Sequence, residues 1–342
     1  MSVSHPESLQ QARDKTGILQ RITTMFETCW QANAPITVLG VVMTGFTLAA
    51  LVGLLSDPRI IAGQPAWLKP FKFGISIATY AFSIAWVLGF VQARKPWIRK
   101  ALRIFTWIVI GVVVAEIVPI TIQVIRGTRS HFNVETPFDS FLLGIMAVSI
   151  TVLWIANLVL VAILLWQRFE DRAFGWSLRL GLIITIIGMA TGYLMTLPTA
   201  EQIASWEQGA PVTIIGAHSV GVQDGGPGMP ITGWSTEGGD LRIPHFVGLH
   251  ALQVIPFAGG WISRRRRLTS GQRLSLVWTV SLGYLGLVVL VTWQALRGQP
   301  LIAPDALTVG AFAGLLAATL LATVWTLSPH GRRVLQRHAT GR

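Results

Sequence analysis

Residues Phe138–Trp166 read FDSFLLGIMAVSITVLWIANLVLVAILLW, and Asp139 is the only charged side chain in this stretch. A helix rises about 1.5 Å per residue, so roughly 20 apolar residues cross the hydrocarbon core of a bilayer. The stretch therefore predicts a transmembrane helix. Seven further segments are apolar and long enough to do the same: Ala34–Leu55, Phe73–Val91, Leu102–Val124, Leu178–Met195, Phe246–Ile262, Leu274–Trp293 and Leu307–Leu327.

The whole composition agrees with this interpretation. Hydrophobic residues make up 52% of the 342 positions and charged residues only 12%, and the mean hydropathy is +0.57. Such values are typical of a polytopic membrane protein rather than of a soluble enzyme. The sequence predicts an all-α integral membrane protein with about eight transmembrane helices in one bundle.

The charge distribution predicts the orientation of these spans. If the amino terminus is cytoplasmic, the inner segments hold 20 of the 27 Lys and Arg residues, as the positive-inside rule requires. An even number of spans then places both termini in the cytoplasm and the protein in the plasma membrane. The predicted organisation is a cytoplasmic tail at 1–33, a transmembrane domain at 34–327 and a basic tail at 328–342. The net charge of +12 is thus topogenic, and nucleic-acid binding is not expected.

Familiar enzyme signatures are missing from the sequence. The chain has no Walker loop, Rossmann glycine pattern, nucleophile elbow or CxxCH motif. Cys29 is the only cysteine, which excludes an internal disulfide and a cysteine-based metal cluster. The polar amino-terminal segment does not have the pattern of a signal peptide.

The segment Gly238–Pro256, GGDLRIPHFVGLHALQVIP, passes from a glycine-rich loop into the sixth span. Pro244 suits the first position of a helix, which places His245 in the first turn and His250 inside the membrane. Gln253 lies one turn beyond His250, where it could orient the imidazole or join the same pocket. The alternative is a histidine that is hydrogen-bonded to a carbonyl group of a neighbouring helix.

The loop at 198–243 precedes this helix on the predicted outer face. Thr199 and Gln202 have the spacing of a capping box, which predicts a short helix. The following glycine-rich stretch favours either an ordered lid over the outer mouth or a disordered connector.

Polar residues inside the predicted spans are candidates for chemistry, because they are costly there. Lys72 begins a stripe on span two that continues through Ser76, Thr79, Tyr80 and Ser83. Glu116 is the only acid well within an apolar segment, and its candidate partners are Lys72 and the hydroxyls of the stripe. We expect Glu116 and Lys72 to be catalytic acid–base or proton-relay groups. Helix-packing hydroxyls and a structural ion pair are the alternatives.

The segment RGTRSHFNVETPFD, residues 126–139, supplies further polar groups just outside span three. Arg126 and Arg129 could clamp a phosphate or carboxylate, or could anchor the helix at the interface. Asp139 also suits the first turn of span four, where a carboxylate complements the helix dipole.

Four histidines fall on the predicted outer side, and three or four imidazoles with one or two carboxylates are suitable ligands for Zn, Cu or Fe. The predicted metal ligands are His131, His218, His245, His250, Asp139 and Asp240. Haem b is the second cofactor expected, with Arg126, Arg129, Arg242 and Gln253 contributing to cofactor binding. Eight spans with outer-side histidines resemble the architecture of membrane haem enzymes such as the haem A synthases. This chain has no histidine in spans two, four or eight, so the haem ligands of the haem A synthases cannot be assigned to residues of this sequence.

These observations predict a cavity that opens to the outer face and is lined by histidine, arginine and carboxylate groups. The expected function is a metal- or haem-dependent membrane oxidoreductase or hydrolase that acts on a membrane-associated substrate. The alternative is a non-catalytic binding, transport or assembly protein for an anionic lipid or small acid.

Overall fold

The computed structural model describes the backbone of residues 6–340, and the surroundings of side chains for residue 17 and residues 19–336. Helices dominate this part of the chain, and the strands form two separate antiparallel ladders of two residues per strand. In chain order the elements are α1 (Pro6–Ser56), β1 (Ile60–Ile61), β2 (Gln64–Pro65), α2 (Leu68–Leu88), α3 (Pro96–Arg126), α4 (Pro137–Trp166), α5 (Arg172–Leu194), α6 (Ala200–Glu207), β3 (Ser219–Val220), β4 (Gly239–Asp240), α7 (Arg242–Leu249), α8 (Ala251–Ser263), α9 (Ser270–Leu296), α10 (Ala306–Leu327) and α11 (Pro329–Thr340).

Among the described residues, eight helical segments are long and apolar enough to cross a membrane. Each overlaps one of the eight predicted spans, so the all-α, multi-pass class is confirmed, although the bounds differ. The spans are Leu19–Ser56, Leu68–Leu88, Pro96–Arg126, Pro137–Trp166, Arg172–Leu194, Arg242–Ser263, Ser270–Leu296 and Ala306–Leu327.

Both predicted tails are helical where the structure describes them. Helix α1 begins at Pro6 and bends at Asn33, whose backbone is not helical (φ −160°, ψ 89°). The Asn33 side chain accepts a hydrogen bond from the backbone N–H of Ile36, which restarts the helix around Pro35. The predicted boundary at residue 33 is therefore a kink inside one long helix. Residues 1–5 and 341–342 of the tails lie outside the described residues.

The sixth span is two helices rather than the single helix expected from Pro244 onward. It starts at Arg242 with α7, ends that helix at Leu249 and resumes as α8 at Ala251. Neighbouring helices satisfy carbonyl groups beside this break: the Tyr284 hydroxyl donates to Val247 O (2.6 Å) and the Thr185 hydroxyl lies 3.4 Å from Leu249 O. Irregular backbone inside a membrane requires such partners, because lipid offers none.

Helix α5 is the most buried span, and α10 is the least. One face of α5 carries small residues against α7 and α8, and a Cβ added to Gly188 would lie 2.5 Å from Gly248. Ser177 fills the corresponding space beside Gly259. Small residues at helix interfaces let the backbones approach closely, which replaces the missing hydrophobic driving force in lipid. Gly248 thus allows the close approach of α5 and α7.

One end of the bundle carries a folded set of connections, here called the loop layer and defined as residues 57–67, 127–136 and 195–241. The β-bridge between Asn133 and Ile214 joins the second segment to the third, and the β3–β4 ladder lies within the third. The turn at Gly63 packs against Gly225, and both glycines have positive φ. The predicted capping box of Thr199 and Gln202 is present at the start of α6. The glycine-rich segment is therefore folded against the other connections, and its role as a lid over an outer mouth stays a prediction.

Candidate functional site

The head of α2 places two lysines beside the loop layer. Lys69 and Lys72 are three residues apart, so they share a face of the helix. The Lys72 ammonium donates a hydrogen bond to Thr232 O at 2.9 Å and so holds the loop layer in place. The Lys69 ammonium lies 6.0 Å from the ring centroid of Phe73. Within the described part of the chain, it has no hydrogen bond and no ion pair.

Aromatic contacts connect Phe73 to two histidines. The Phe73 ring lies 5.6 Å from the ring of His131, and Phe132 packs 4.8 Å from the ring of His218. The two histidines come from segments far apart in sequence, and backbone pairing joins these segments: Ile215 N–H donates to Phe132 O at 2.9 Å. Phe132 is buried and has a φ of +64°, a conformation that costs a bulky residue energy.

Electrostatic effects show that this group forms one neighbourhood. Burial lowers the pKa of His131 well below its ordinary value, and the positive charge of Lys69 and the proximity of His218 lower it further. Burial also lowers the pKa of His218, an effect that Asp224 opposes and Lys69 and Arg242 reinforce. Both imidazoles are therefore neutral near pH 7.

His218 and Asp224 form a closely bonded pair. The His218 Nδ1 atom lies 2.7 Å from Asp224 Oδ2, and the same carboxylate accepts the backbone N–H groups of His218 and Ser219. Burial raises the pKa of Asp224, but the hydrogen bonds from His218 and Ser219 outweigh it and hold the pKa well below its ordinary value. Asp224 therefore remains ionised, and His218 carries its proton on Nδ1.

Two predicted metal ligands are engaged in ion pairs instead. Asp240 is fully buried, and Arg242 donates to it from its backbone and its guanidinium. Asp139 pairs with Arg126 at 2.5 Å and accepts a hydrogen bond from Gln123 at 2.7 Å. The first pair belongs to the loop layer and α7, whereas the second joins α3 to α4.

Glu116 is buried in α3, as its place in an apolar segment predicted. Its hydrogen-bond partner is Ser149 of α4, 3.3 Å from the carboxylate, rather than Lys72 or a hydroxyl of α2. Lys69 lies within electrostatic range of the carboxylate but forms no ion pair with it. Sequence reasoning missed this partner, because α3 can turn its acid toward either neighbour.

The two histidines of the sixth span have separate partners. His245 Nδ1 lies 2.9 Å from Gly188 O of α5, which is the ordinary helix-to-helix hydrogen bond that the sequence offered as an alternative for His250. His250 Nδ1 instead lies 3.1 Å from Gln253 Oε1, within hydrogen-bond distance. The Gln253 amide then donates to Ser83 of α2 at 2.9 Å, which joins the predicted polar stripe to the break in the sixth span.

Among the described residues, no three His, Cys, Asp or Glu side chains come together as a metal site. The predicted set divides into pairs and single residues, because bonds of only about 2 Å demand far closer convergence than a shared membrane face supplies. His131 and His218 lie in one neighbourhood, whereas His245 bonds to α5 and Asp139 to Arg126. Arg129 sits in the same loop as His131, where its carbonyl accepts a hydrogen bond from Asn133.

Two residues of this neighbourhood did not emerge from the sequence. Lys69 carries a weak signal, since it lies three residues before Lys72 at the start of an apolar helix. Asp224 carries none, because an acid within a glycine-rich loop resembles any solvated turn residue.

A comparison with protein-family models, with curated proteins and with solved structures finds no match for this chain, so its functional assignment depends on the geometry of these side chains.

Proposed function

We propose that this protein is a multi-pass plasma-membrane protein that binds a small anionic ligand at the head of α2. The ligand would present a carboxylate or phosphate group, as a small acid or a lipid headgroup does. The observation that carries this proposal is the half-buried Lys69 ammonium, which has no hydrogen bond or ion pair to any described residue.

A cation that is partly removed from water needs a compensating partner, because desolvation penalises the charged form. The neighbouring charges of Lys72 and Arg242 make the need greater, since they lie in electrostatic range and repel Lys69. Glu116 offsets this repulsion in part. An anion that contacts Lys69 would relieve both the desolvation and the repulsion.

The orientation supports a ligand that arrives from outside the cell. Lysine and arginine residues are concentrated at the bundle end opposite the loop layer, which favours cytoplasmic termini by the positive-inside rule. The loop layer and Lys69 then face the exterior.

Replacing Lys69 with glutamine should weaken anion binding by roughly ten-fold or more, because a hydrogen bond to a charged group contributes about 1.5–3 kcal/mol. Stabilisation of the detergent-purified protein by inorganic phosphate and by succinate, followed as a rise in thermal midpoint, measures this binding. Lys100→Gln removes an exposed lysine from α3 and serves as the control.

Native mass spectrometry of protein in phosphatidylglycerol or phosphatidylcholine nanodiscs separates the two ligand sources. Retention of phosphatidylglycerol by the parent but not by Lys69→Gln would assign a lipid headgroup, and stabilisation by the free anions alone would assign a soluble acid. Equal binding to parent and variant, or no binding to either, would contradict the proposal.

A metal- or haem-dependent oxidoreductase or hydrolase is the second candidate, and the geometry of His250 favours it. Its Nδ1 is oriented by Gln253, and its Nε2 has no hydrogen-bond partner among the described residues. In a metal-ligating histidine, an acceptor holds the N–H of one ring nitrogen and the other nitrogen binds the metal, so His250 has the arrangement that such a ligand needs.

We expect an absorption spectrum and elemental analysis of the purified protein to decide between the two candidates. A haem band or stoichiometric Zn, Cu or Fe that His250→Ala abolishes and His330→Ala retains would establish the second candidate. A parent protein without either signal would rule that candidate out.

A further inference from the structure

We infer that His218 and Asp224 form a general-base dyad that hydrolyses an ester of the acid held at Lys69. This inference rests on the proposed anion binding and adds a reaction to it. Its basis is the bonding of Asp224, the free nitrogen of His218 and the aromatic contacts that link this pair to Lys69.

Three N–H groups fix the Asp224 carboxylate. The backbone N–H of Ser219 lies 2.8 Å from Oδ1, that of His218 lies 3.0 Å from Oδ2, and the imidazole Nδ1 lies 2.7 Å from Oδ2. An ionised carboxylate in this position keeps the proton of a neutral imidazole on Nδ1. Nε2 then has a lone pair, and it has no hydrogen-bond partner among the described residues.

The dyad remains accessible although it is folded into the loop layer. The side chain of His218 is 25% exposed and that of Asp224 is 21% exposed, so water can reach the pair. The partner of His245 is different, because its Nδ1 lies 2.9 Å from a backbone carbonyl, Gly188 O of α5.

Aromatic contacts lead from the dyad to the proposed anion site. His218 packs on Phe132, Phe132 on His131 at 6.3 Å, and His131 on Phe73, whose ring lies under the Lys69 ammonium. The positive φ of Phe132 is maintained at this junction, and strain of this kind concentrates at functional sites. An ester whose anionic group contacts Lys69 would lie along this apolar surface, with its reacting carbon toward His218.

The proposed step needs only water. His218 Nε2 removes a proton from a water molecule as the water oxygen bonds to the ester carbonyl carbon, and the carbonyl electrons move to oxygen. When the carbonyl re-forms, the bond to the leaving oxygen breaks, and the imidazolium returns its proton to that oxygen. The products are an acid and an alcohol, and no oxidant or reductant takes part.

The test uses two probes with the same leaving group: the 4-nitrophenyl monoester of succinic acid, which is anionic, and 4-nitrophenyl acetate, which is neutral. We expect His218→Gln to lower the hydrolysis rate of both probes on the order of 100-fold, within the range that a general base contributes. Lys69→Gln should slow the anionic probe far more than the neutral one, because only the anionic probe loses a contact. His330→Gln removes an exposed histidine of α11 and should change neither rate.

Asp224 is a positioning residue, so its variant is judged by a pH profile. His218 can accept a proton only in its neutral form, so the rate of probe hydrolysis should rise with pH and then level off. The midpoint should lie below the ordinary imidazole pKa of 6.5, because burial lowers the pKa of His218. Besides burial, the charged and titratable groups that act on His218 are Asp224, Lys69, Arg242 and His131. Because Asp224 raises this pKa, Asp224→Asn should move the midpoint to lower pH and lower the plateau.

Anion stabilisation of the His218→Gln protein keeps the two proposals separate. If succinate still raises its thermal midpoint while hydrolysis is lost, the dyad is established and the protein is folded. If the parent binds succinate but hydrolyses neither probe, or if His218→Gln retains the parent rate, the dyad is overturned and anion binding stands. If succinate binds neither protein, the proposed function fails as well.

Discussion

Replacing Arg242 with alanine is expected to lower the free energy of unfolding by about 3 kcal/mol, because the substitution leaves the Asp240 carboxylate buried without its cation. Asp240 is fully buried, and its remaining partners would be the backbone N–H groups of Ser235 and residue 242. The Arg242 guanidinium also donates to Gly233 O, so the turn that Lys72 contacts would lose a second anchor. Unfolding in mixed micelles with a rising fraction of SDS measures the change.

The chain contains a matched control at Asp57 and Arg59. Both pairs have the sequence Asp-x-Arg, and in both the arginine donates to the acid from its backbone and its guanidinium. They differ in burial, since the Asp57 side chain is 18% exposed and the Asp240 side chain is 0% exposed. Arg59→Ala should therefore leave the unfolding midpoint nearly unchanged, because solvent screens its partner. Equal losses from the two variants would show that burial does not set the strength of these pairs.

Adding a methyl group at the contact between α5 and α7 is expected to have the next largest effect. A Cβ on Gly188 would lie 2.5 Å from Gly248, and a Cβ on Gly248 would lie 2.4 Å from Gly188. The obstructing atoms belong to the backbone, so relief requires one helix to move. We expect Gly188→Ala and Gly248→Ala each to lower the free energy of unfolding by about 1–3 kcal/mol, the usual penalty for overpacking.

Gly111 provides the comparison for helix propensity. It lies on an exposed face of α3, and a Cβ there would have no atom within 4 Å. Alanine is a better helix former than glycine by about 1 kcal/mol, so Gly111→Ala should stabilise the protein slightly. A similar gain for Gly188→Ala in the same SDS titration would contradict the close contact of α5 with α7.

The break at His250 could be predicted only in part. The predicted sixth segment is the shortest of the eight and contains glycines, and Pro256 lacks the N–H that a continuous helix would use. The position of the break depends on partners from other helices, because Tyr284 and Thr185 satisfy carbonyls beside it. Those partners are far away in sequence, so no local pattern contains them.

The membrane class and the number of spans follow from the amino-acid sequence alone. Each of these properties depends on a local quantity, namely the free energy of transferring about 20 consecutive residues into lipid. Which polar side chains meet depends instead on the packing of the whole chain. In the folded protein, Glu116 is hydrogen-bonded to Ser149, His245 to Gly188 and Asp224 to His218. Lys69 has no hydrogen bond or ion pair among the described residues. A polar side chain needs one particular atom within about 3 Å, and the rotation of each helix and the fold of the loop layer fix that distance.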